Sequence, residues 1–292
     1  MPPLSTPAAP PDWIEFFCGI GGVATALAPE TQILAIDQNP LALAFYRANH
    51  AHTVWNRNIC GLRAAELPSG AFWWLSPPCQ PYTIKGARRD AEDPRAAPLK
   101  HLIRLLPQCA PPTLYLENVP GFVGSQMQQL LLETLRSMDY NLEEVELCPT
   151  HFGVPMRRRR YYLRASRGLE PLQLPPPRPL RPLREWLGEE EAELRVSDVT
   201  QARYVGAIHE VDPNEEGAIA TCFGSAYGRS VVRAGSYLRV PGGLRAFSPR
   251  EVLRLLGFGE PQLPARLSRL QLWSLAGNSV SVPVLRWLLA GH

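Results

Sequence analysis

The stretch Ser76-Pro77-Pro78-Cys79-Gln80-Pro81-Tyr82 sets one thiol among prolines, directly after the apolar residues 71–75. A short apolar run rich in aromatics reads as a buried strand, and proline neither continues a central strand nor donates to its ladder, so the chain must leave the sheet here. Cys79 is therefore expected on a stiff loop at a strand end. In an open parallel sheet the carboxyl ends of the strands are where ligands bind, which makes Cys79 a candidate nucleophile rather than the small buried filler that a cysteine more often is.

A second chemical feature precedes it. Residues 13–17 form an apolar strand that ends in Cys18-Gly19-Ile20-Gly21-Gly22, and small residues continue as a helix over 23–28. Glycines let backbone approach a ligand closely, and the start of the next helix offers free N–H groups, so this is a nucleotide-type turn. Residues 32–36 predict a second strand finishing at Asp37, which lies 18 residues after Gly19. An acid at that place grips ribose hydroxyls in dinucleotide-type folds. Asn39 can cap, and Pro40 can open, a helix running to about Asn49.

The elements that must position these groups alternate. Residues 71–75 and 113–116 predict two more strands, and the second leads into Glu117-Asn118-Val119-Pro120, so both deliver a reactive side chain to the same edge. Ser125 caps a helix through Met138 whose Met127, Leu130, Leu131, Leu135 and Met138 recur at helical spacing as core. The order implies an α/β, Rossmann-like, mostly parallel sheet wrapped by helices. After Tyr162 the pattern breaks. Six prolines between Glu170 and Leu183 exclude helix and sheet interior there, and short segments with turn signals follow to about Val240. Ser248-Pro249-Arg250-Glu251 forms a capping box, and Gly277-Asn278-Ser279-Val280 precedes a last helix. The expected division is a catalytic, cofactor-binding domain over residues 1–165, completed by 272–292, with a small target-recognition domain over 166–271.

Composition narrows the class. The chain has 292 residues, 45% of them hydrophobic, with no run near the roughly 20 apolar residues of a membrane span and no signal-peptide pattern, so a cytoplasmic protein is expected. Six well-separated cysteines match neither a disulfide framework nor zinc spacing; free thiols and no metal are expected. Net charge is only +3, but between His151 and Arg184 there are nine arginines and one acid, Glu170, a cluster suited to phosphates. The arginine-rich composition, 28 Arg against two Lys, accounts for the total better than for the clustering.

These motifs stand in the order found in one family. The chain resembles the cytosine-5 methyltransferases of nucleic acids over nearly its whole length. Glu15-Phe16-Phe17-Cys18-Gly19-Ile20-Gly21-Gly22 is similar to the family's cofactor turn, Pro77-Pro78-Cys79-Gln80-Pro81 to its nucleophile loop and Glu117-Asn118-Val119 to its acid. Arg158-Arg159-Arg160 resembles its paired arginines and Ala276-Gly277-Asn278-Ser279-Val280 its closing cofactor motif. The resemblance implies the S-adenosylmethionine-dependent methyltransferase fold and methyl transfer to carbon 5 of cytosine. It makes Cys79 the nucleophile at carbon 6, Glu117 the acid held protonated at ring nitrogen 3, and Arg158 and Arg160 further catalytic residues. Arg160 is expected to favour the Cys79 thiolate and to grip the base or its phosphate.

For S-adenosylmethionine the resemblance implies contacts from Phe17 to adenine, from Asp37 to the ribose and from Asn278 at the closing edge, with Gly19, Gly21, Gly22, Gln38, Pro77, Ser279 and Val280 around it. Asn58-Ile59 stands where many members place an acid on the adenine amine; an asparagine carbonyl can accept that bond. Within the family the chain is most similar to the tRNA-aspartate methyltransferases that modify cytosine 38 in an anticodon loop. Residues 76–83, Gly86, Asp90, Asp93, Arg95 and the pairs Cys222-Phe223 and Tyr227-Gly228 carry that likeness, with Gly224 where the branch has threonine. Gln80, Lys85, Arg88, Cys222, Phe223 and Tyr227 are then expected at the nucleic acid, which is tRNA on this reading and duplex DNA on the alternative; a monomer is expected. A flipped or already unpaired cytosine is required in either case. Two other classes remain: a nicotinamide oxidoreductase, suggested by the glycine turn and Asp37 but without Gly-x-Gly-x-x-Gly spacing, and a catalytically silent binder, which would not need both Cys79 and Glu117.

Overall fold

The apolar runs become strands where alternate residues find a cover on each face. In the computed structural model, which describes residues 10–82, 90–168, 171–189 and 192–290, the first half of the chain runs β1 (Trp13–Phe16), α1 (Gly22–Ala26), β2 (Ile33–Asp37), α2 (Pro40–Asn49), β3 (Thr53–Asn56) and β4 (Phe72–Leu75). It continues through α3 (Ala97–Cys109), β5 (Thr113–Asn118), α4 (Gln126–Ser137), β6 (Asn141–Leu147) and β7 (Arg160–Ser166). Then come α5 (Asp198–Arg203), β8 (His209–Val211), β9 (Ser236–Val240), β10 (Gly243–Ala246), α6 (Pro249–Leu256), α7 (Arg269–Gly277) and α8 (Val282–Leu288). No helix among the described residues is long and apolar enough to cross a membrane.

The first seven strands form one sheet in the order β3-β2-β1-β4-β5-β7-β6. The pairs β1–β2, β1–β4, β2–β3 and β4–β5 are parallel, so these strands end along one edge. β7 runs antiparallel to both β5 and β6, with Glu117 opposite Tyr162 and Asn118 opposite Tyr161. An antiparallel strand begins where its parallel neighbours finish, so Arg160 enters the sheet at the edge that carries Glu117.

Side-chain alternation divides the core. Ile14, Phe16, Trp73, Leu75, Leu114 and Leu116 pack on one face with Leu102, Ile103 and Leu106 of α3 and Met127, Leu131 and Leu135 of α4. Trp13, Ala35, Trp74 and Tyr115 pack on the other with Val23, Leu43, Tyr46 and, from α8, Val284 and Leu285. The α4 side-chain cap forms, Ser125 Oγ accepting from the Gln128 N–H at 3.0 Å. Leu130, expected in the core, is 37% exposed because it lies outside the apolar stripe of α4. β1 stops one residue early, since Phe17 adopts a positive φ of 56° and turns the chain into the glycine bend.

β8, β9 and β10 make a separate three-stranded sheet, around which Phe223, Tyr227, Tyr237, Phe247, Leu253 and Trp273 form a second core with α6 and α7. Leu272, Trp273, Leu275 and Ala276 of α7 belong to this core, whereas Val280, Val284 and Leu285 join the large sheet, so the chain crosses between cores just after α7. Glu251 locks α6 in place. It closes the capping box with the Ser248 N–H (2.7 Å) and meets both terminal nitrogens of the buried Arg245 at 2.9 and 2.8 Å. All six cysteines are free thiols.

Candidate active site

A cavity of about 370 Å³ opens at the sheet edge where β1, β2, β4 and β5 end and β7 begins. Phe17, Gly19, Gly22, Asp37, Gln38, Asn58, Ile59 and Pro77 line it, as do Asn278, Ser279 and Val280 from the segment before α8. The same cavity is lined by Cys79, Gln80, Glu117, Arg158 and Arg160. The sulfur, the carboxyl group and the glycine turn thus share one space, although they come from distant parts of the chain.

Close backbone approach assembles it. A Cβ on Gly121 would run into the Tyr82 carbonyl, so the loop after Glu117 and the loop after Cys79 can meet only through glycine. A Cβ on Gly277 would likewise collide with Gly224 backbone, where the end of α7 meets the loop after Phe223. Ser76 Oγ donates to the Phe17 carbonyl at 3.2 Å, tying the nucleophile loop to the glycine turn. Asp37 Oδ2 accepts from the Gly19 N–H at 2.9 Å and Oδ1 from the Asn39 N–H at 2.8 Å, which fixes the carboxylate and leaves each oxygen a further lone pair. Asn58 Oδ1 accepts from the Cys60 N–H at 2.9 Å, so half of its acceptor capacity serves the local turn.

Electrostatics at the other end oppose one another. Arg160 Nε lies 3.1 Å from Glu117 Oε1. Burial raises the Glu117 carboxyl above its ordinary value, and the Arg160 and Arg158 charges pull back without cancelling the rise. This matches the expected direction. Burial and then the Glu117 charge also raise the Cys79 thiol, against the pull of Arg160 and Arg158. Arg160 pulls toward the Cys79 thiolate, the direction expected of it, but burial and Glu117 outweigh it: a negative charge there must be withdrawn from water and held near a carboxyl group. Neutralising Glu117 removes one of the two obstacles.

Arg158 is 3% exposed. Its Nη1 donates to the Phe223 carbonyl at 3.2 Å and to Cys222 Sγ at 3.3 Å, and its Nη2 donates to the carbonyls of Gly277 (3.2 Å) and Ser279. It clamps the Cys222–Phe223 segment to the segment before α8 as well as lining the cavity. Cys222 lies just behind the cavity wall, with Arg160 Nη2 at 3.7 Å from its sulfur. Burial disfavours its thiolate, but Arg158 and Arg160 together bring the thiol below its ordinary value.

Phe223 and Tyr227, expected at the nucleic acid, are corrected by the structure: they are 2% and 1% exposed, stacked edge-on at 5.0 Å inside the core around the three-stranded sheet. The Tyr227 hydroxyl donates to the Ser236 carbonyl (2.7 Å) and accepts from the Phe247 N–H (2.9 Å), which leaves no face for a base. Gly21 does not line the cavity; it packs over His50 and Tyr46. Lys85 and Arg88 lie outside the described residues. Arg57, which no motif marks, also lines the cavity, as do Glu15, marked only as part of the cofactor turn, and Arg95, marked only by its likeness to the tRNA branch. Arg95 is held by Asp93 through Nε (2.9 Å) and Nη2 (2.7 Å), and a charge buried in the apolar strand Trp13–Phe16 is the signal that marks Glu15.

The residues fit S-adenosylmethionine on their own chemistry. A Cβ on Gly22 would strike Val280, so the turn and the segment before α8 close on each other as a cradle, and Glu15 Oε2 is buried without a hydrogen-bond partner beside it. Among the described residues no group of three or more His, Cys, Asp or Glu side chains could hold a metal ion.

A seven-stranded sheet with one antiparallel strand, carrying a glycine turn and a thiol at one edge, defines an α/β methyltransferase. The chain belongs to the family of C-5 cytosine-specific DNA methylases, whose model matches residues 12–223. It is similar to the tRNA (cytosine(38)-C(5))-methyltransferase of Schizosaccharomyces pombe, with 29% identity over 95% of each chain. The human tRNA (cytosine(38)-C(5))-methyltransferase is 35% identical over 56% of this chain and 44% of its own length. The type II methyltransferase M.MspI of Moraxella is 27% identical over 94% of this chain and 68% of its own. Among solved structures, the S. pombe Dnmt2 methyltransferase superposes with a TM-score of 0.83 at 28% identity over 94% of this chain and 96% of that one. The Entamoeba histolytica methyltransferase EhMeth shares the fold, with a TM-score of 0.86 at 24% identity over 96% and 97%.

Proposed function

We propose that this chain methylates carbon 5 of a cytosine in tRNA, with S-adenosylmethionine as the methyl donor. The observation that carries the reading is that Cys79, Glu117 and Arg160 line the same cavity as the glycine turn and Asp37. In this reading residues 166–271 form the target-recognition unit, and residues 1–165, completed by 272–292, form the catalytic one. tRNA is favoured over DNA because the tRNA (cytosine(38)-C(5))-methyltransferases reach 35% identity over the matched region, against 27–28% for type II methyltransferases.

The chemistry follows from the pyrimidine. Carbon 5 of cytosine is a weak nucleophile until a group adds at carbon 6. Glu117, protonated through burial, donates to ring nitrogen 3 and draws electron density from carbon 6. Cys79 Sγ gives up its proton to water in the cavity and forms the bond to carbon 6, the electron pair of the carbon 5–carbon 6 double bond shifting toward the protonated ring nitrogen 3, which makes carbon 5 enamine-like. Bound S-adenosylmethionine supplies an electrophilic methyl group at that carbon. A base then takes the carbon-5 proton, the sulfur–carbon bond breaks, and Cys79 leaves. Arg160 neutralises the charge that appears as Glu117 gives up its proton. Phe17, Asp37, Asn58 and Asn278 orient the cofactor, and Gln80 faces the base.

The test is to incubate the protein with radiolabelled S-adenosylmethionine and, separately, total tRNA and genomic DNA. Label in tRNA is expected, and Cys79→Ala should lower the rate by about a thousandfold or more. An oligonucleotide with 5-fluorocytosine, whose carbon 5 cannot lose a proton, should trap a covalent complex that Cys79→Ala does not form. Label in DNA alone would overturn the substrate assignment and leave the chemistry standing.

A further inference from the structure

Glu15 is the one charged residue of β1, and strand alternation turns it with Trp13 toward the face covered by α1, α2 and α8. It is 2% exposed and lines the cavity. Its Oε1 accepts from the Val23 N–H at 3.0 Å, while Oε2 is buried with no formed hydrogen bond among the described residues, and the Ala24 N–H and the Tyr46 hydroxyl lie near the carboxyl group. The charged and titratable groups around it do not neutralise it. Asp37 at the end of β2 adds a like charge, Cys18 follows on the same loop, and Arg47 on α2 acts on Cys18. No ion pair to Glu15 occurs among the described residues. The floor of the cavity therefore holds two carboxyl groups with no cation of the protein set against Glu15.

A path leads away from this carboxyl group. Tyr46 of α2 is close enough to interact with it, and the Tyr46 hydroxyl is hydrogen-bonded to His52 Nδ1 at 2.9 Å. The His52 ring is stacked on His50, with centroids 5.7 Å apart and planes inclined by 7°, and His50 Nε2 approaches Thr25 Oγ1 at 3.4 Å. Both histidines are only part-buried, so the path reaches solvent. Burial holds His52 below its ordinary value and His50 down to about 4, so both rings are neutral near pH 7 and a proton that reaches them is passed on rather than retained.

The cofactor reading, on which this inference rests, supplies a ligand whose charge changes while its shape is nearly kept. S-adenosylmethionine carries a sulfonium cation, and the product that has lost the methyl group carries a neutral thioether; the ammonium and carboxylate ends are common to both. A buried carboxylate without a partner is costly, and one facing a cation is not. We propose that Glu15 releases one proton, by way of Tyr46 and His52, when the sulfonium form occupies the cavity, and regains it when methyl loss leaves the neutral product. The carboxyl O–H bond breaks as the Tyr46 oxygen takes the proton, the Tyr46 hydroxyl proton passes to His52 Nδ1 and then to buffer, and the reverse sequence restores the acid. The chain thereby holds the methyl donor more tightly than the product it must discard. Burial raises the Glu15 carboxyl to about 8, so near neutral pH the proton is present to be released.

The experiment is isothermal titration of the wild-type protein at pH 7 with S-adenosylmethionine and, separately, S-adenosylhomocysteine, in phosphate and in Tris, whose ionisation enthalpies differ. Release of close to one proton is expected with the sulfonium ligand and close to none with the thioether. Donor affinity should rise up to tenfold per pH unit between pH 6 and 8, with product affinity nearly flat. Asp37 faces ligand parts common to both, so the difference between the two titrations isolates Glu15. In Glu15→Gln the difference should vanish; Tyr46→Phe should keep the proton count but slow its appearance to a pH dye in stopped flow. Equal proton counts for the two ligands in the wild type, or a difference that survives in Glu15→Gln, would overturn the proposal whether or not either variant is stable. Binding of neither ligand would overturn the cofactor reading and this proposal with it.

Discussion

Arg160 Nε stands 3.1 Å from Glu117 Oε1 because β7 runs against β5 and begins where β5 ends. The pair is an acid and its restraint. Burial pushes the Glu117 carboxyl up and Arg160 moderates the rise, while the same arginine draws the Cys79 thiol down against burial and the Glu117 charge.

Replacing Arg160 by leucine should therefore shift both limbs of the pH–rate profile for methyl transfer to higher pH. The acid limb follows the thiol, which loses a cation that favoured its ionised form, and the alkaline limb follows the carboxyl group for the same reason. A fall in kcat/KM of about 10²–10³ is expected at neutral pH. Arg160→Lys should recover little, since an ammonium cannot hold the same planar contacts. A profile that falls in height but keeps its limbs would show that Arg160 acts through binding alone.

The strands ending in Asp37 and Leu75 and the caps at Asn39, Ser125 and Ser248 were readable from the sequence because each is set by neighbouring residues. The contact between Glu117 and Arg160 was not. β6 is Asn-Leu-Glu-Glu-Val-Glu-Leu and mostly half-exposed, so it has no apolar run, and its partner β7 is recognised only through long-range pairing. α3 was hidden by Pro98 and Pro107, which fall near its two ends, where proline is tolerated or does least harm. Phe223 and Tyr227 illustrate the opposite error. Their place at the nucleic acid was expected from a likeness of short motifs, yet their burial depends on Trp273 and Phe247, which lie far from them in sequence.

The most acidic thiol beside the cavity should be Cys222 rather than Cys79. Burial disfavours both thiolates, but the guanidinium nitrogens 3.3 and 3.7 Å from Cys222 Sγ outweigh it there, whereas Glu117 adds to it at Cys79. Thiolate absorbance near 240 nm, followed from pH 6 upward, should lose its earliest rise in Cys222→Ser and keep it in Cys79→Ser. An early rise that persists without Cys222 would refute the assignment.

Arg158 should matter more to stability than its exposed neighbour. Its donors serve the carbonyls of Phe223, Gly277 and Ser279, so Arg158→Leu strands three acceptors between the Phe223 loop and the segment before α8. A loss of about 2–4 kcal/mol in urea unfolding is expected. Arg159 pairs with Glu146 at the surface, with 72% of its side chain exposed, and Arg159→Leu should cost less than about 1 kcal/mol. Equal costs for the two would remove the clamp from the account of how the cavity is closed.

Glu15 also predicts how stability depends on pH, independently of any ligand. Its carboxyl group has an ordinary value of 4.5 and is pushed up to about 8 by burial in the fold. Between these values the folded chain binds a proton that the unfolded chain has lost, so stability must fall as pH rises, by up to about 1.4 kcal/mol per unit. The contribution is complete below the lower value and gone above the upper one. Glu15→Gln keeps an acceptor for the Val23 N–H but cannot ionise, so its stability curve should be flatter, less stable than or equal to wild type near pH 5 and more stable near pH 9. Asp37, raised in the same direction by burial, leaves a smaller residual slope in the variant. Denaturant midpoints at pH 5, 7 and 9 measure this directly, and parallel curves for the two proteins would mean that Glu15 is already ionised in the fold at neutral pH.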